Sequence, residues 1–321
     1  MSRYSRVMGT GGYLPEEVRT NEQISRMVDT SDNWIYERTG IKSRRIAGPE
    51  ETASSMAEIA ARQALEASAC DPEEIDLIIV ATGTPDRIYP STGCLLQQRL
   101  GIKRCVAFDV QAACSGSIFA LSIADQYIKS GAANKILVVG SEICSRVVDW
   151  TDRGTCILFG DGAGAILLGA SDERGILSTH IHSDGEYESL LYCPNPQAAV
   201  ANKQEAGYIY MRGHEVFKIA VNTLGRIVEE TLAANNMDKS EVDWLIPHQA
   251  NIRIIEATAK KLKMSMDQVV VTLENQGNTS SASVLLAFNE AVRDGRIQRE
   301  QVILLEAFGA GFTWGSALIK Y

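Results

Sequence analysis

The chain has 321 residues, 45% of them hydrophobic and 22% charged, with a formal net charge of -9. These are ordinary globular values for a chain long enough for about two domains, and the acidic balance speaks against a general nucleic-acid binder. No run of about 18 apolar residues suggests a membrane span, the opening MSRYSRVMGTGGYLP lacks the apolar centre of a signal peptide, and seven scattered cysteines without C-x-x-C spacing fit reduced thiols in a cytoplasm.

Arg3 to Gly9 reads as a first strand, ended by Gly9, Gly11, Gly12 and Pro15. Thr30-Ser31-Asp32 caps a short helix carrying Trp34 and Arg38. Lys42 to Glu51 reads as a polar loop, and Ser55 with Glu58 as the capping box of a helix reaching about Ala69. After Asp71-Pro72 come a buried strand from Ile75 to Val80, a helix from Thr92 to Leu100 and a buried strand from Val106 to Val110. Cys114 follows, at the start of a helix whose Ile118, Phe119, Leu121, Ile123 and Ile128 leave almost no polar face, so that helix belongs in the middle of a large domain. The unpaired N–H groups and positive dipole of a first turn favour an anion and would lower a thiol pKa. Taken alone, a cysteine at such a turn is still better read as a small core residue.

Lys135 to Gly140 is another buried strand. Gly160-Asp161-Gly162-Ala163-Gly164 has the look of a phosphate loop, but the residues after it are strand-like where a helix is required, so a tight turn between strands is expected. His180 and His182 lack a third ligand nearby and read as surface residues beside a strand, and no metal is expected. His180 to Ala206 is loop-rich. A long helix spans Glu215 to Ala234, and a strand from Val242 to Pro247 ends in His248-Gln249-Ala250-Asn251. Asn251 to Lys263 is amphipathic, with Ile254, Ile255, Thr258 and Leu262 on one face and Arg253 and Lys260 on the other. Gln268 to Leu273 reads as a strand, Gly277-Asn278-Thr279-Ser280 as the start of a helix to about Asp294, Gln301 to Leu305 as a strand, and Phe308 to Tyr321 as a Gly-rich turn with a last strand.

The second half repeats the first. Asp71-Pro72-Glu73-Glu74-Ile75-Asp76 matches Asp238-Lys239-Ser240-Glu241-Val242-Asp243, and Val106 to Gly131 matches Val270 to Gly295. The expected fold is α/β with two pseudo-equivalent halves, residues 1–172 and 173–321. Their matching turns place Cys114 and Asn278 near a shared centre, where ligand sites of α/β sheets lie. His248 ends a strand of the second half. A Cys–His–Asn set is a catalytic combination: a thiolate attacks a carbonyl while His and Asn donate hydrogen bonds to developing negative charge.

Ala112-Ala113-Cys114-Ser115-Gly116, Pro247-His248-Gln249-Ala250-Asn251 and Gly277-Asn278-Thr279-Ser280 resemble β-ketoacyl-acyl-carrier-protein synthase III, the initiating condensing enzyme of bacterial fatty acid synthesis. The resemblance covers essentially the whole chain and implies a thiolase fold, layered α-β-α-β-α. It also implies that Cys114 takes an acyl group from acetyl-CoA, with the backbone N–H groups of Cys114 and Ala310 holding the oxyanion. Malonyl-acyl-carrier-protein then loses CO2 while His248 and Asn278 stabilise its enolate, which attacks the acyl-cysteine. Trp34, Arg38, Arg153 and Asn251 would hold coenzyme A. Gln249, Ala250, Asn251, Ile252, Arg253, Lys260 and Lys261 would receive the acidic carrier protein, a local reversal of charge on an acidic chain. Tyr89, beside Ile88, would cross a homodimer interface and gate the acyl pocket. No permanently bound cofactor, no nucleic acid and no membrane are implied, and Gly309-Ala310-Gly311 replaces the family's usual three glycines.

A degradative thiolase needs a second cysteine near the C-terminus, but the last one is Cys193; an elongating enzyme needs a second histidine, and none follows His248. A related condensing enzyme of specialised metabolism and a cysteine-dependent thioester hydrolase stay open as alternatives. A non-enzymatic subunit would lack the nucleophile.

Overall fold

The computed structural model describes residues 3–195 and 207–321. Elements are numbered in chain order. One sheet has the order β1 (Tyr4–Tyr13), β7 (Asp161–Ser171), β6 (Lys135–Ile143), β4 (Leu77–Ala81), β5 (Val106–Val110). A second has β8 (Ile176–Ser183), β13 (Thr313–Lys320), β12 (Val302–Gly309), β11 (Trp244–Pro247). In both, the first two pairings are antiparallel, as is β6 with β7, while β4 runs parallel to β6 and β11 parallel to β12. Two short ribbons, β2 (Glu17–Thr20) with β3 (Ser43–Ile46) and β9 (Leu191–Tyr192) with β10 (Tyr210–Met211), lie apart.

Helices complete five layers. Between the sheets lie α5 (Gly116–Lys129) and α9 (Ser283–Arg293), with Ile118, Leu121, Leu285 and Phe288 packed on Ile79, Val138, Leu305 and Ile319. Outside the first sheet, α3 (Ala53–Ala67) and α4 (Thr92–Leu100) cover Ile78, Val80, Leu137 and Val139. Outside the second, α6 (Gly213–Asn235) and α7 (Ile252–Leu262) cover Leu245, Leu304 and Leu318. The inner strands β4, β6, β7 and β12 are buried on both faces, which is why they read as apolar runs; β5, expected as a buried strand, is a half-exposed edge with Val106 58% exposed. The remaining helices, α1 (Asn21–Ser25), α2 (Asp32–Thr39) and α8 (Leu273–Gln276), are short. Every strand of the first sheet precedes residue 172 and every strand of the second follows residue 175. At that connection Arg6 pairs with Glu173 and Glu300, its Nη2 reaches the Tyr321 carbonyl at 3.4 Å, and the Lys320 N–H donates to Gly175 O at 2.7 Å.

Five local readings need correction. Gly162 and Gly164 lie inside β7, not in a turn: a Cβ on Gly164 would stand 2.6 Å from Leu285 Cβ, so the glycines let α9 close onto the strand. Within the polar stretch 42–51 runs β3, whose Arg44 is fully buried and donates to the carbonyls of Arg19 and Ile157 and to Asn21 Oδ1. The capping box of α3 is Thr52 with Ser55; Glu58 pairs instead with Arg62 and Arg99. Residues 268–273 are not a strand. They make one isolated bridge, Leu245 to Val269, because the buried Gln249 side chain takes a neighbouring strand's place, donating to Val270 O and accepting from the N–H groups of Thr272 and Leu273. The loop-rich stretch expected from His180 begins within β8, which runs on to Ser183, and its residues 196–206 lie outside those described.

A further correction concerns the pseudo-symmetry. Single turns Ala113–Ser115 and Ser280–Ala282 precede α5 and α9, and each opens on a left-handed residue, Ala113 at φ 45° and Ser280 at φ 50°. A side chain in that region costs about 1–2 kcal/mol, so its presence at both turns marks them as equivalent. The counterpart of Cys114 is therefore Ser281, and Asn278 sits three positions earlier.

Candidate active site

Cys114 is 9% exposed, His248 5% and Asn278 6%, and all three line one cavity of about 730 Å³. The turn at the head of α5 presents Cys114. Its backbone N–H is backed by Gly309, where a Cβ would lie 2.7 Å from Cys114 N. Ala310 next to it has a negative φ and tolerates a side chain, whereas Gly311 at φ 134° does not. His248 extends the β11–β12 ladder by donating its N–H to Glu306 O at 2.8 Å, and its Nδ1 lies 2.7 Å from Ser283 Oγ. Asn278 is fixed through its main chain to Leu158 O and Gly160 N, and its Oδ1 accepts the Ser280 N–H at 2.9 Å. Its side-chain amide N–H groups make no hydrogen bond among the described residues.

Burial, the largest cause, pushes the Cys114 thiol up to about 12 against hydrogen bonds from Ser280 and its own backbone. The lowered pKa expected at a helix start is not found, because desolvation outweighs the turn's dipole. Burial lowers the His248 imidazole to about 4, so it is neutral at physiological pH.

At the exposed end of the cavity, the guanidinium of Arg38 lies 4.1 Å and that of Arg153 4.9 Å from the centre of the Trp34 ring. Asn251 caps α7 by accepting the Arg253 N–H and donates to Arg38 O at 3.0 Å, so its amide ties α7 to α2. Arg253 and Lys260 are exposed, while Ala250 and Ile252 are half-buried. Gln249 is a correction: it is 1% exposed, all its hydrogen bonds are internal, and it cannot touch a docked protein. Lys261 is exposed as well, its stem lying over Gly225 and its ammonium donating to Val221 O at 3.1 Å. Tyr89 is 82% exposed and does not line this chain's cavity. His180 and His182 lie on β8 and share Glu230.

Sequence reasoning missed the apolar walls, Met211, Val216, Phe217, Leu224 and Ile254, and Phe308 beside the cysteine. Val216, Ala220 and Leu224 stand at helical spacing, a pattern that core packing produces equally well.

Behind the cavity both Glu306 oxygens are buried without a hydrogen-bond partner among the described residues, and burial pushes the carboxyl up to about 8. Unfolded, it would ionise near about 4.3. The folded state holds the proton more tightly, so the stability linked to it is complete below about pH 4, falls as pH rises, and is lost above about pH 8. Glu306→Gln should raise Tm by about 5 °C or more at about pH 9 and leave it unchanged near pH 4. Equal effects at both pH values in a thermal melt would contradict this.

A thiol, an imidazole and a carboxamide at one buried end of a cavity, between two like halves, define a site for acyl transfer through cysteine. Residues 108–185 match the family described as 3-Oxoacyl-[acyl-carrier-protein (ACP)] synthase III, and residues 232–321 match its C-terminal part. A beta-ketoacyl-[acyl-carrier-protein] synthase III of Methylococcus capsulatus is 68% identical over 100% of both chains. That of Thioalkalivibrio sulfidiphilus is 60% identical over 99% of both. The crystal structure of the Aquifex aeolicus synthase III superposes with a TM-score of 0.94 at 47% identity, covering 99% of this chain and 100% of that one. The chain belongs to the 3-oxoacyl-[acyl-carrier-protein] synthase III family, and its layers are the thiolase-like fold.

Proposed function

We propose that the protein condenses an acyl-CoA primer, acetyl-CoA first, with malonyl-acyl-carrier-protein, releasing CO2 and coenzyme A and opening type II fatty acid synthesis. The observation that carries this reading is the convergence of Cys114, His248 and Asn278 in one cavity whose other end holds Trp34 and Arg38. Cys114 Sγ attacks the primer thioester, and the N–H groups of Cys114 and Ala310 face the oxyanion. Coenzyme A leaves past Trp34, Arg38 and Arg153. For the second substrate, two neutral donors suffice. With Ser283 Oγ, 2.7 Å away, donating to His248 Nδ1, the imidazole proton would sit on Nε2. Asn278 Oδ1 is held by Ser280, which leaves its N–H groups for the same oxygen. Both donors strengthen as the malonyl thioester becomes an enolate. No resident cofactor enters this chemistry.

The halves divide at residues 172–173. The exposed apolar pair Ile88 and Tyr89, 69% and 82% exposed, is suited to burial against a second copy, from which Tyr89 would close the acyl end. A homodimer working in the cytoplasm is the corresponding assembly. The carrier protein docks on α7 through Arg253 and Lys260, with Ala250 and Ile252 at the rim. Arg253→Ala should raise KM for malonyl-acyl-carrier-protein by about tenfold and KM for acetyl-CoA by less than about threefold, the loss falling as salt rises. Equal rises for both substrates would remove Arg253 from docking.

A second reading, priming condensation in a specialised pathway, draws on the likeness to the priming β-ketosynthase of the R1128 polyketide pathway, TM-score 0.94 at 37% identity, covering 99% of this chain and 96% of that one. A panel of straight and branched acyl-CoA primers, read by product mass, separates the two. Acetyl-CoA hydrolysis without any condensed product would instead show a thioester hydrolase.

A further inference from the structure

Among the described residues the Asn278 carboxamide makes one hydrogen bond, accepting the Ser280 N–H on its Oδ1 at 2.9 Å. Leu158 and Gly160 hold the Asn278 main chain but not the plane of its amide. The Ser280 bond therefore decides which edge of the amide faces the cavity. Turned over, the carboxamide would aim Oδ1 at the enolate oxygen and repel it. Ser280 offers that N–H from the left-handed region, at φ 50°. A residue with a side chain disfavours that conformation and keeps it only where its surroundings hold it there.

The surroundings that hold it belong to the other half. Ser280 Oγ lies 3.1 Å and Ser281 Oγ 2.8 Å from Oε1 of Glu142, a carboxyl on β6 that is 1% exposed. Glu142 is itself fixed: its Oε2 accepts from Thr84 Oγ1 at 2.7 Å, and the Gly83 N–H lies 3.2 and 3.1 Å from its two oxygens. Thr84 Oγ1 in turn accepts the Ile143 N–H at 2.8 Å. Ser281 Oγ also reaches Ala81 O at 2.9 Å, and Ser281 O accepts from the Ser117 hydroxyl. The turn lies so close to β6 that a Cβ on Gly140 would stand 2.6 Å from Ser281 O. The matching turn of the first half is tied the opposite way, to Thr313 of the second: Thr313 Oγ1 donates to Ala112 O and Thr313 O accepts from Ser115 Oγ, both at 2.9 Å. Its left-handed residue, Ala113, carries no polar group, whereas Ser280 carries one with a fixed acceptor in front of it.

We propose that Glu142 is a positioning residue for the condensation step: by anchoring Ser280 it keeps the N–H groups of Asn278 turned toward the enolate oxygen. This rests on the condensation reading above. Glu142 touches no reacting atom and moves no proton; it is an acceptor of the first half that fixes a donor of the second. Two consequences follow from the geometry. Cutting the tie slows decarboxylation of bound malonyl thioester and leaves carrier-protein binding alone, because α7 takes no part in it. A tie that acts only through Asn278 also has nothing to lose once Asn278 is gone. Charge is not required of the anchor: a carboxamide at position 142 can offer its oxygen to Thr84 and Gly83 and its N–H groups to the two serine oxygens.

The test measures CO2 release from malonyl-acyl-carrier-protein by the Cys114→Ala protein, in which no effect on the thiol can intrude. Adding Ser280→Ala, which removes the tie and keeps the N–H, should lower kcat about tenfold and change KM less than about twofold, part of the loss that removing a donor outright would cause. Alanine suits the backbone there, since Ala113 adopts the same conformation at the matching turn. Glu142→Ala should match Ser280→Ala, and Glu142→Gln should stay within about threefold of the parent. With Asn278→Ala also present, Ser280→Ala and Glu142→Ala should each cost less than about twofold. If Glu142→Ala does not fold, Ser280→Ala with and without Asn278→Ala decides alone. The positioning role is overturned by an unchanged kcat in Ser280→Ala, by a tenfold loss that persists without Asn278, by a rise confined to KM, or by a Glu142→Gln as slow as Glu142→Ala. No CO2 release from the Cys114→Ala protein itself would instead overturn the condensation reading beneath it.

Discussion

Cys114→Ala is expected to carry no acyl adduct after incubation with acetyl-CoA and to lose condensation by about 10⁴-fold or more, since it removes the only nucleophile of the proposed cycle. Six other cysteines are present, so the measurement must be site-specific. Cys70, Cys144 and Cys156 are buried away from the cavity lining, Cys105 is half-buried, Cys94 and Cys193 are exposed, and none of these lines it. Peptide mapping of the wild-type adduct should place it on Cys114 alone. The variant sharpens the mechanism as well as the assignment. His248 and Asn278 do not depend on the thiol for their positions: one is fixed by Ser283 and Glu306, the other by Leu158, Gly160 and Ser280. Cys114→Ala should therefore still release CO2 from malonyl-acyl-carrier-protein and return acetyl-acyl-carrier-protein. An adduct that survives in the variant would place the nucleophile elsewhere.

The second large effect is the converse. His248→Ala and Asn278→Ala should each form acetyl-enzyme within about threefold of the wild-type rate, yet lose decarboxylation and condensation by about 10²–10³-fold. Each removes one donor to the enolate oxygen, about 3–4 kcal/mol of transition-state stabilisation. The two should not be additive, because a single remaining donor cannot hold the oxygen in place. His248 is held down to about 4 by burial, so it stays neutral above about pH 5 and the decarboxylation rate should be flat from there to neutrality. A bell centred near the ordinary histidine pKa would mean that His248 titrates as a base. Loss of acetylation in His248→Ala would give the thiol proton to histidine.

The layers were legible because the buried strands and α5 are apolar on both faces, and because Asp71 and Asp238 repeat the same capping signal before matching strands. The three residues that meet in the cavity, Cys114, His248 and Asn278, were legible as motifs. What the sequence could not show were features set by tertiary packing. Gln249 looks like any polar loop residue, yet it substitutes for a strand through five-atom reach into the backbone of residues 270–273. Arg44 is basic and sits in a polar stretch, yet it is fully buried against carbonyl oxygens, and burial lowers it to about 10 without removing its charge at neutral pH. The thiol pKa was misjudged because a first helical turn is visible in sequence and complete desolvation is not. The offset between Asn278 and the true counterpart of Cys114 needed φ angles, which no residue pattern reports.

The connection at 172–175 meets both ends of the described chain at one place. Gly175 accepts from Lys320, Glu173 pairs with Arg6, and Arg6 reaches Tyr321. Here the covalent chain crosses between the halves, bridged beside it by polar contacts. A circular permutation that joined residue 321 to residue 3 and opened the chain within 172–175 would leave every layer where it stands. The order in which the ribosome makes the halves is incidental to the finished molecule, even though neither half holds a whole active site.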